Sequence, residues 1–337
     1  MSELPAKTLH THYRLPPGVH DFLFEEAHAR RQVERSLIEM LASKGYREII
    51  TPAYEYSEVF AQASKAQNGR EERAYRFLDR DGRVLALRSD FTAQIARIAA
   101  ARFFEMPAPV RAYYSGKVFR AEPLHAGKRR EKWQVGFEIL GAAGLEADGE
   151  AVFCILDGFL ALGLAHTRIA IGHIGYFNGL IAQAQLDGEN LKRLKYLVER
   201  KDVAGLARAT EELELAHELR EAFVHLPHLH GGQEILPQAR RFTKNKDSHA
   251  AIARLESLLS LLQKHPQAHQ VFVDLSEVEG MGYYTGIMLR AFAAGVGEEL
   301  GGGGRYDDLV SRFGAHMPSV GFSFDVDLLV RAVQAHA

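Results

Sequence analysis

The stretch "EKWQVGFEIL" (131–140) holds residue types that can do chemistry at a spacing that brings them together. In a strand, successive side chains alternate between faces. Trp133, Val135, Phe137 and Ile139 then share one face, and Gln134, Gly136 and Glu138 share the other. An amide and a carboxylate on either side of a glycine describe either of two things. One is a pocket floor, with both polar groups converging on the space above Gly136. The other is a solvated sheet face with an incidental glycine. The same alternation in "PVRAYYSGKVFRAE" (109–122) puts Gly116, Val118 and Arg120 on one face. Arg120 is a permanent cation whose forked donors suit a carboxylate or a phosphate; a surface ion pair with Glu122 is the plainer alternative. A third stretch, "EVEGMGYYTGIML" (277–289), sets Tyr283 and Tyr284 side by side among Gly280, Gly282 and Gly286. Read as a strand, only one of the two tyrosines faces a given pocket, and the glycines admit a close neighbour. Glu279 stands just ahead of them.

Three further motifs carry weaker signals. "GKRREK" (127–132) supplies four basic residues on a connection, able to bind phosphate or nucleic acid or simply to be solvated. "GGGGRYDD" (301–308) resembles a nucleotide-cradling loop but lacks the Lys-Ser/Thr end of a P-loop. Close backbone packing in a strand, with Arg305 or Tyr306 pointing inward, is its stronger reading. His225, His228 and His230 fit no regular metal-ligand spacing on one helix.

The elements that must position these groups follow from periodicity and turn chemistry. A helix is expected over about 22–45, capped by Asp21 and ended by Gly45. A strand follows over 46–56, with Pro52 where no ladder bond is needed. Residues 75–88 read as a hairpin turning at Asp81-Gly82, and 90–104 as a helix. Strands are expected over 109–122, 131–141, 167–175, 270–275, the tyrosine stretch and near 297–310. A strand and then a helix close the chain over 320–333. From about 188 to 264 strand signals give way to helical periodicity, with Ile252, Leu255, Leu259 and Leu262 on one stripe. The expected architecture is α+β: an antiparallel sheet flanked by helices over 1–187 and 265–337, with a helical insertion over 188–264.

Composition bounds the function. The chain has 337 residues, 47% hydrophobic and 25% charged, as in ordinary globular proteins. A formal net charge of −2 supplies no global field toward nucleic acid or anionic lipid. One cysteine, Cys154, excludes an internal disulfide. With no apolar leader and no apolar run long enough to span a bilayer, the expectation is a cytoplasmic protein without a membrane partner.

Taken in order, "PPGVHDF", the Pro52 strand, "LRSDFT" (87–92), "VFRAE…GKRREKWQVGFE" (118–138), "GYYTG" (282–286), "GGGGRYDDL" (301–309) and "VGFSFDVDLL" (320–329) resemble the motifs of histidyl-tRNA synthetases. The likeness covers nearly the whole chain and implies a class II aminoacyl-tRNA synthetase-like core. It also implies a histidine pocket. Glu138 and Tyr284 would hold the imidazole, with Tyr283 packed behind, and Tyr306 would close the site. Gln134, Thr92 and Asp90 (an aspartate where the family has glutamate) would face the α-amino group. Arg120 would meet a carboxylate or an α-phosphate. The departures bear on function. The family's catalytic arginine ahead of the tyrosines is replaced by Glu279, its ATP-gripping arginine by Leu328, and the aromatic that stacks on adenine by Lys132. Each lost charged contact costs about 1.5–3 kcal/mol, enough together to make ATP use negligible. The chain stops at Ala337, so an anticodon-binding domain and a tRNA partner are not expected. This combination is similar to a paralogous family, the regulatory subunits of short-form ATP phosphoribosyltransferases. That resemblance implies a chain with no catalysis and no cofactor of its own. It would form a homodimer within a hetero-octamer with the short catalytic subunit, be required for that subunit's activity, and transmit feedback inhibition by free histidine. Arg88 and Arg120 are the candidates for the ligand carboxylate. The alternative is a truncated synthetase-like enzyme that adenylates histidine.

Overall fold

The computed structural model describes residues 14–64, 74–122, 128–278 and 283–336. Glu279, Gly280, Met281 and Gly282, and most of the connection before Lys128, lie outside them.

Helix α1 (Phe24–Ser43) buries Val33, Leu37 and Leu41, one stripe at four-residue spacing. It ends at Gly45, whose φ of +82° is the left-handed conformation that favours glycine. Asp21 does not cap it. Leu23 occupies the N-cap and offers no side-chain acceptor. The single strand expected over 46–56 is two, β1 (Arg47–Glu48) and β2 (Tyr54–Tyr56). Pro52 lies between them, where the chain leaves the main sheet for a small one. Helix α2 (Ser57–Ser64) leads to the hairpin β3 (Arg76–Leu78) and β4 (Val84–Leu87), turning at Gly82. Helix α3 (Thr92–Ile98) runs on into a π-helical turn, Ala99–Phe103.

The long strands β5 (Val110–Phe119) and β6 (Glu131–Leu140) follow. Then come α4 (Leu145–Ala161), β7 (Thr167–His173) and α5 (Ile174–Gln183). Residues 188–262 are mainly helical: α6 (Gly188–Glu199), α7 (Val203–Glu212), α8 (His217–His225), α9 (Ile235–Arg241) and α10 (Lys246–Leu262). They also contain a short strand that periodicity does not signal, β8 (His230–Gly231). Asn245 caps α10 by accepting from the amides of Asp247 and Ser248. The chain ends with β9 (Val271–Asp274), β10 (Ile287–Ala293), β11 (Gly301–Arg305), β12 (Ser319–Asp325) and α11 (Val326–His336).

The main sheet has the order β1-β5-β6-β12-β11-β10-β7-β9-β8, and β2-β4-β3 form the small sheet. Pairing in the main sheet is antiparallel except at β1/β5 and β7/β9, so the sheet is mixed rather than purely antiparallel. One face packs Val135, Phe137, Ile139, Phe322 and Phe324 with Ile155 and Phe159 of α4 in the principal core. Cys154 belongs to this core, and burial pushes its thiol up to about 12. The other face carries Gln134 and Glu138. Among the described residues no helix is long and apolar enough to cross a membrane.

Candidate functional site

A cavity of about 510 Å³ opens on that second face. The strand register builds its floor. One row crosses Tyr114, Gly136, Ser323, Gly302 and Arg290; the next crosses Ala112, Glu138, Gly321, Gly304 and Met288. Each central glycine lies beneath a side chain from a neighbouring strand or segment. A Cβ on Gly321 would stand 1.6 Å from Glu138 Oε2, and one on Gly304 would press the Tyr284 ring at 3.0 Å. A Cβ on Gly302 would lie 2.7 Å from Arg290 Nη1. Close approach, not phosphate cradling, therefore explains "GGGG". Arg305 and Tyr306 part company after it: Tyr306 lines the cavity, and Arg305 is buried against Asp148.

Of the residues singled out from the sequence, the structure brings seven to this cavity: Asp90, Thr92, Arg120, Gln134, Glu138, Tyr284 and Tyr306. Glu138 lies at its centre and is 1% exposed. Thr92 Oγ1 donates to its Oε1 at 3.0 Å, and the Tyr306 hydroxyl donates to Oε2. Burial pushes its carboxyl up to about 8, and the nearby Asp90 adds to the rise; the two hydrogen bonds oppose it. Burial thus favours the neutral form of Glu138. Asp90 Oδ1 accepts from the Thr92 amide at 2.5 Å and so shapes the start of α3. Arg120 Nε donates to the Ser89 carbonyl at 3.3 Å.

Four expectations change. The space above Gly136 is filled by the Tyr114 ring, which would stand 2.3 Å from a Cβ there, so that glycine seats a tyrosine rather than a ligand. Tyr283 does not pack behind Tyr284. Both line the cavity, with ring centroids 4.6 Å apart, because this segment is a turn ahead of β10 and strand alternation does not apply to it. Arg88 is not a cavity residue. Its guanidinium donates to the carbonyls of Lys117, Thr51 and Pro52 and stacks on Phe91, holding the bend at Pro52 in place. The basic segment 128–132 is neither simply solvated nor free. Arg129 lies 3.1 Å from Asp325 and 2.6 Å from Asp327, and Lys132 lies 3.2 Å from Asp325. The Arg130 side chain donates to the Glu122 carbonyl.

Tyr114, Arg290, Ser323 and Asp325 also line the cavity and were not singled out from the sequence. Tyr114 has the same parity on β5 as Gly116 and Arg120, so alternation could have found it. Arg290 ion-pairs with Glu277 and Glu299, and nothing in its local sequence signals that. Behind the sheet, Arg305 and Arg254 of α10 share the buried carboxylate of Asp148. His225 stacks on Phe242 and pairs with Glu221. Among the described residues no cluster of three or more His, Cys, Asp or Glu is placed to hold a metal ion.

Comparison with known proteins fits this geometry. A family model described as histidyl-tRNA synthetase matches residues 18–329. The ATP phosphoribosyltransferase regulatory subunit of Geobacter metallireducens is 35% identical over 95% of this chain and 74% of its own. That of Moorella thermoacetica is 36% identical over 95% and 82%. A solved structure from Bacillus halodurans, described as an ATP phosphoribosyltransferase regulatory subunit/histidyl-tRNA synthetase, superposes with a TM-score of 0.87 at 30% identity, covering 95% of this chain and 83% of that one. The chain belongs to the histidyl-tRNA synthetase-like family of ATP phosphoribosyltransferase regulatory subunits. In this regulatory-subunit chain Leu328 is 1% exposed and sits in the principal core. An arginine there would bury a charge in place of core packing. Asp325 Oδ1, three residues earlier, accepts from the Leu328 amide and starts α11.

Proposed function

We propose that this chain is the non-catalytic partner of a short-form ATP phosphoribosyltransferase catalytic chain, required for that chain's turnover and carrying its feedback inhibition by histidine. Glu138 carries the reading. It is a carboxyl whose burial pushes its pKa up to about 8, and it lines an open cavity beside four tyrosines. Imidazole, with a pKa of about 6.5, is a base close enough to Glu138 to accept its proton, giving a charge-assisted pair at little cost. In this assignment Glu138 and Tyr284 hold the ring and Tyr306 closes over it. Asp90, Thr92 and Gln134 face the α-ammonium, and Arg120 faces the carboxylate. Histidine then inhibits by binding the less active arrangement of the assembly more tightly.

The proposed assembly is a homodimer inside a hetero-octamer, with 188–264 as a helical insertion on the synthetase-like core and a cytoplasmic setting. Supporting the dimer, Phe24 at the start of α1 is 82% exposed and Ile50 beside Pro52 is 85% exposed, with Tyr54 and Leu78 also exposed. The test is direct. Purified chain added to a short-form catalytic chain should raise its turnover, and histidine should suppress the gain. The chain alone should show no histidine-dependent pyrophosphate exchange. Strong exchange would overturn the proposal in favour of a synthetase-like enzyme that adenylates histidine.

A further inference from the structure

The end of the cavity away from Glu138 carries several cations, with Glu122 also on its wall. Arg120, Lys128 and Lys132 line it, and Arg129 stands behind Lys132. Such a set facing an open cavity favours an anion with several charges. Here Asp325 on the cavity wall, and Asp327 beside the cavity, engage Lys132 and Arg129 of that set. Asp325 and Asp327, at the β12–α11 junction, have side chains only 6% and 4% exposed. Asp325 takes Arg129 and Lys132; Asp327 takes Arg129 and, at 2.8 Å, Arg30 of α1. Arg30 is itself held between the rings of Phe22 and Trp133. The Arg30–Asp327 contact is a buried ion pair without an aligned hydrogen bond. Three cations thus converge on two buried carboxylates beside the cavity, in the manner of a bound diphosphate.

We propose that Asp325 and Asp327 are a built-in counter-anion that closes the basic end of the cavity to polyphosphate ligands and so makes the cavity selective for a small zwitterion. A nucleotide or pyrophosphate entering there meets Asp325 on the cavity wall, with Arg129 and Lys132 already engaged by it. A free amino acid, with its charges balanced, pays no such repulsion. The proposal goes beyond the histidine reading and stands if that reading fails, because its probe is a different molecule.

The experiment is calorimetric titration of the full chain with inorganic pyrophosphate, and separately with ATP, at low ionic strength. The wild-type chain is expected to show no binding at millimolar ligand. The Asp325→Asn/Asp327→Asn variant is expected to bind pyrophosphate at least tenfold more tightly, with an affinity that falls as salt is added. Adding Arg129→Gln to that variant should abolish the gain. Wild-type binding as tight as the variant's overturns the proposal. So does a folded double variant that gains nothing, or a gain that survives Arg129→Gln. If the double variant does not fold, Asp325→Asn alone, whose amide oxygen still accepts from the Leu328 amide, should gain severalfold; no gain in that folded variant is equally fatal.

Discussion

The two ends of the cavity handle charge in opposite ways. At the Glu138 end a carboxyl is buried with only neutral hydroxyl donors on it, and burial favours its neutral form. At the Asp325 end two carboxyl groups are also buried, but three cations face them, although burial still pushes that of Asp327 up. The first arrangement leaves an interaction for a ligand to complete. The second completes it within the chain. The two arrangements share one sheet face and differ in whether the protein itself supplies the counter-charge.

The comparison can be broken most severely at Glu138. Glu138→Ala should weaken histidine binding on the order of 100-fold, about 3 kcal/mol, the usual cost of deleting one partner of a buried charge-assisted pair. Activation of the catalytic chain should persist; an equal loss of activation in a coupled assay would make the residue structural. Tyr306→Phe and Tyr284→Phe should each cost roughly 1–2 kcal/mol, about tenfold, by removing one hydroxyl. Equilibrium dialysis with labelled histidine reads both.

The pH dependence sharpens the contrast further. The complex holds one proton between the ring and Glu138. Below about pH 6.5 the free ring already carries a proton and that of Glu138 must leave. Above about 8 neither partner carries one, and a proton must be taken up. Affinity should thus peak between these values and fall about tenfold for each unit outside them. A flat profile from pH 6 to 9 would show that Glu138 does not share a proton with the ligand.

The smallest effect is on stability. The folded-state pKa of Glu138 lies above its unfolded value, so its contribution is fully present below about 4.5 and is lost as pH rises to about 8. Glu138→Gln removes that loss while keeping the shape. The variant should melt at the same temperature as wild type near pH 5 and a few degrees higher at pH 8.5.

Much of this was legible in the sequence, for a physical reason. Strand alternation over 131–140 and 109–122 is rigid enough to assign faces, so Gln134, Glu138 and Arg120 reach the same cavity wall. The expectation failed where that rigidity ends. Tyr283 and Tyr284 precede β10 rather than lying in it, so both rings reach the cavity. Pro52 divides what looked like one strand, because the chain changes sheets there. The fate of the basic segment depended on Asp325 and Asp327, almost two hundred residues away, and no local pattern reports a partner at that distance. The helical character of 188–262 was visible, whereas β8 is too short to leave a period.

Arg254 gives the cavity a handle on the reverse of the sheet. It stands on α10, outside the cavity lining, and donates to Oδ2 of Asp148, the carboxylate whose Oδ1 anchors Arg305, the residue next to Tyr306. Whatever displaces α10 therefore strains one of the anchors beside a cavity-lining tyrosine, and whatever tightens that tyrosine restrains the helix in return.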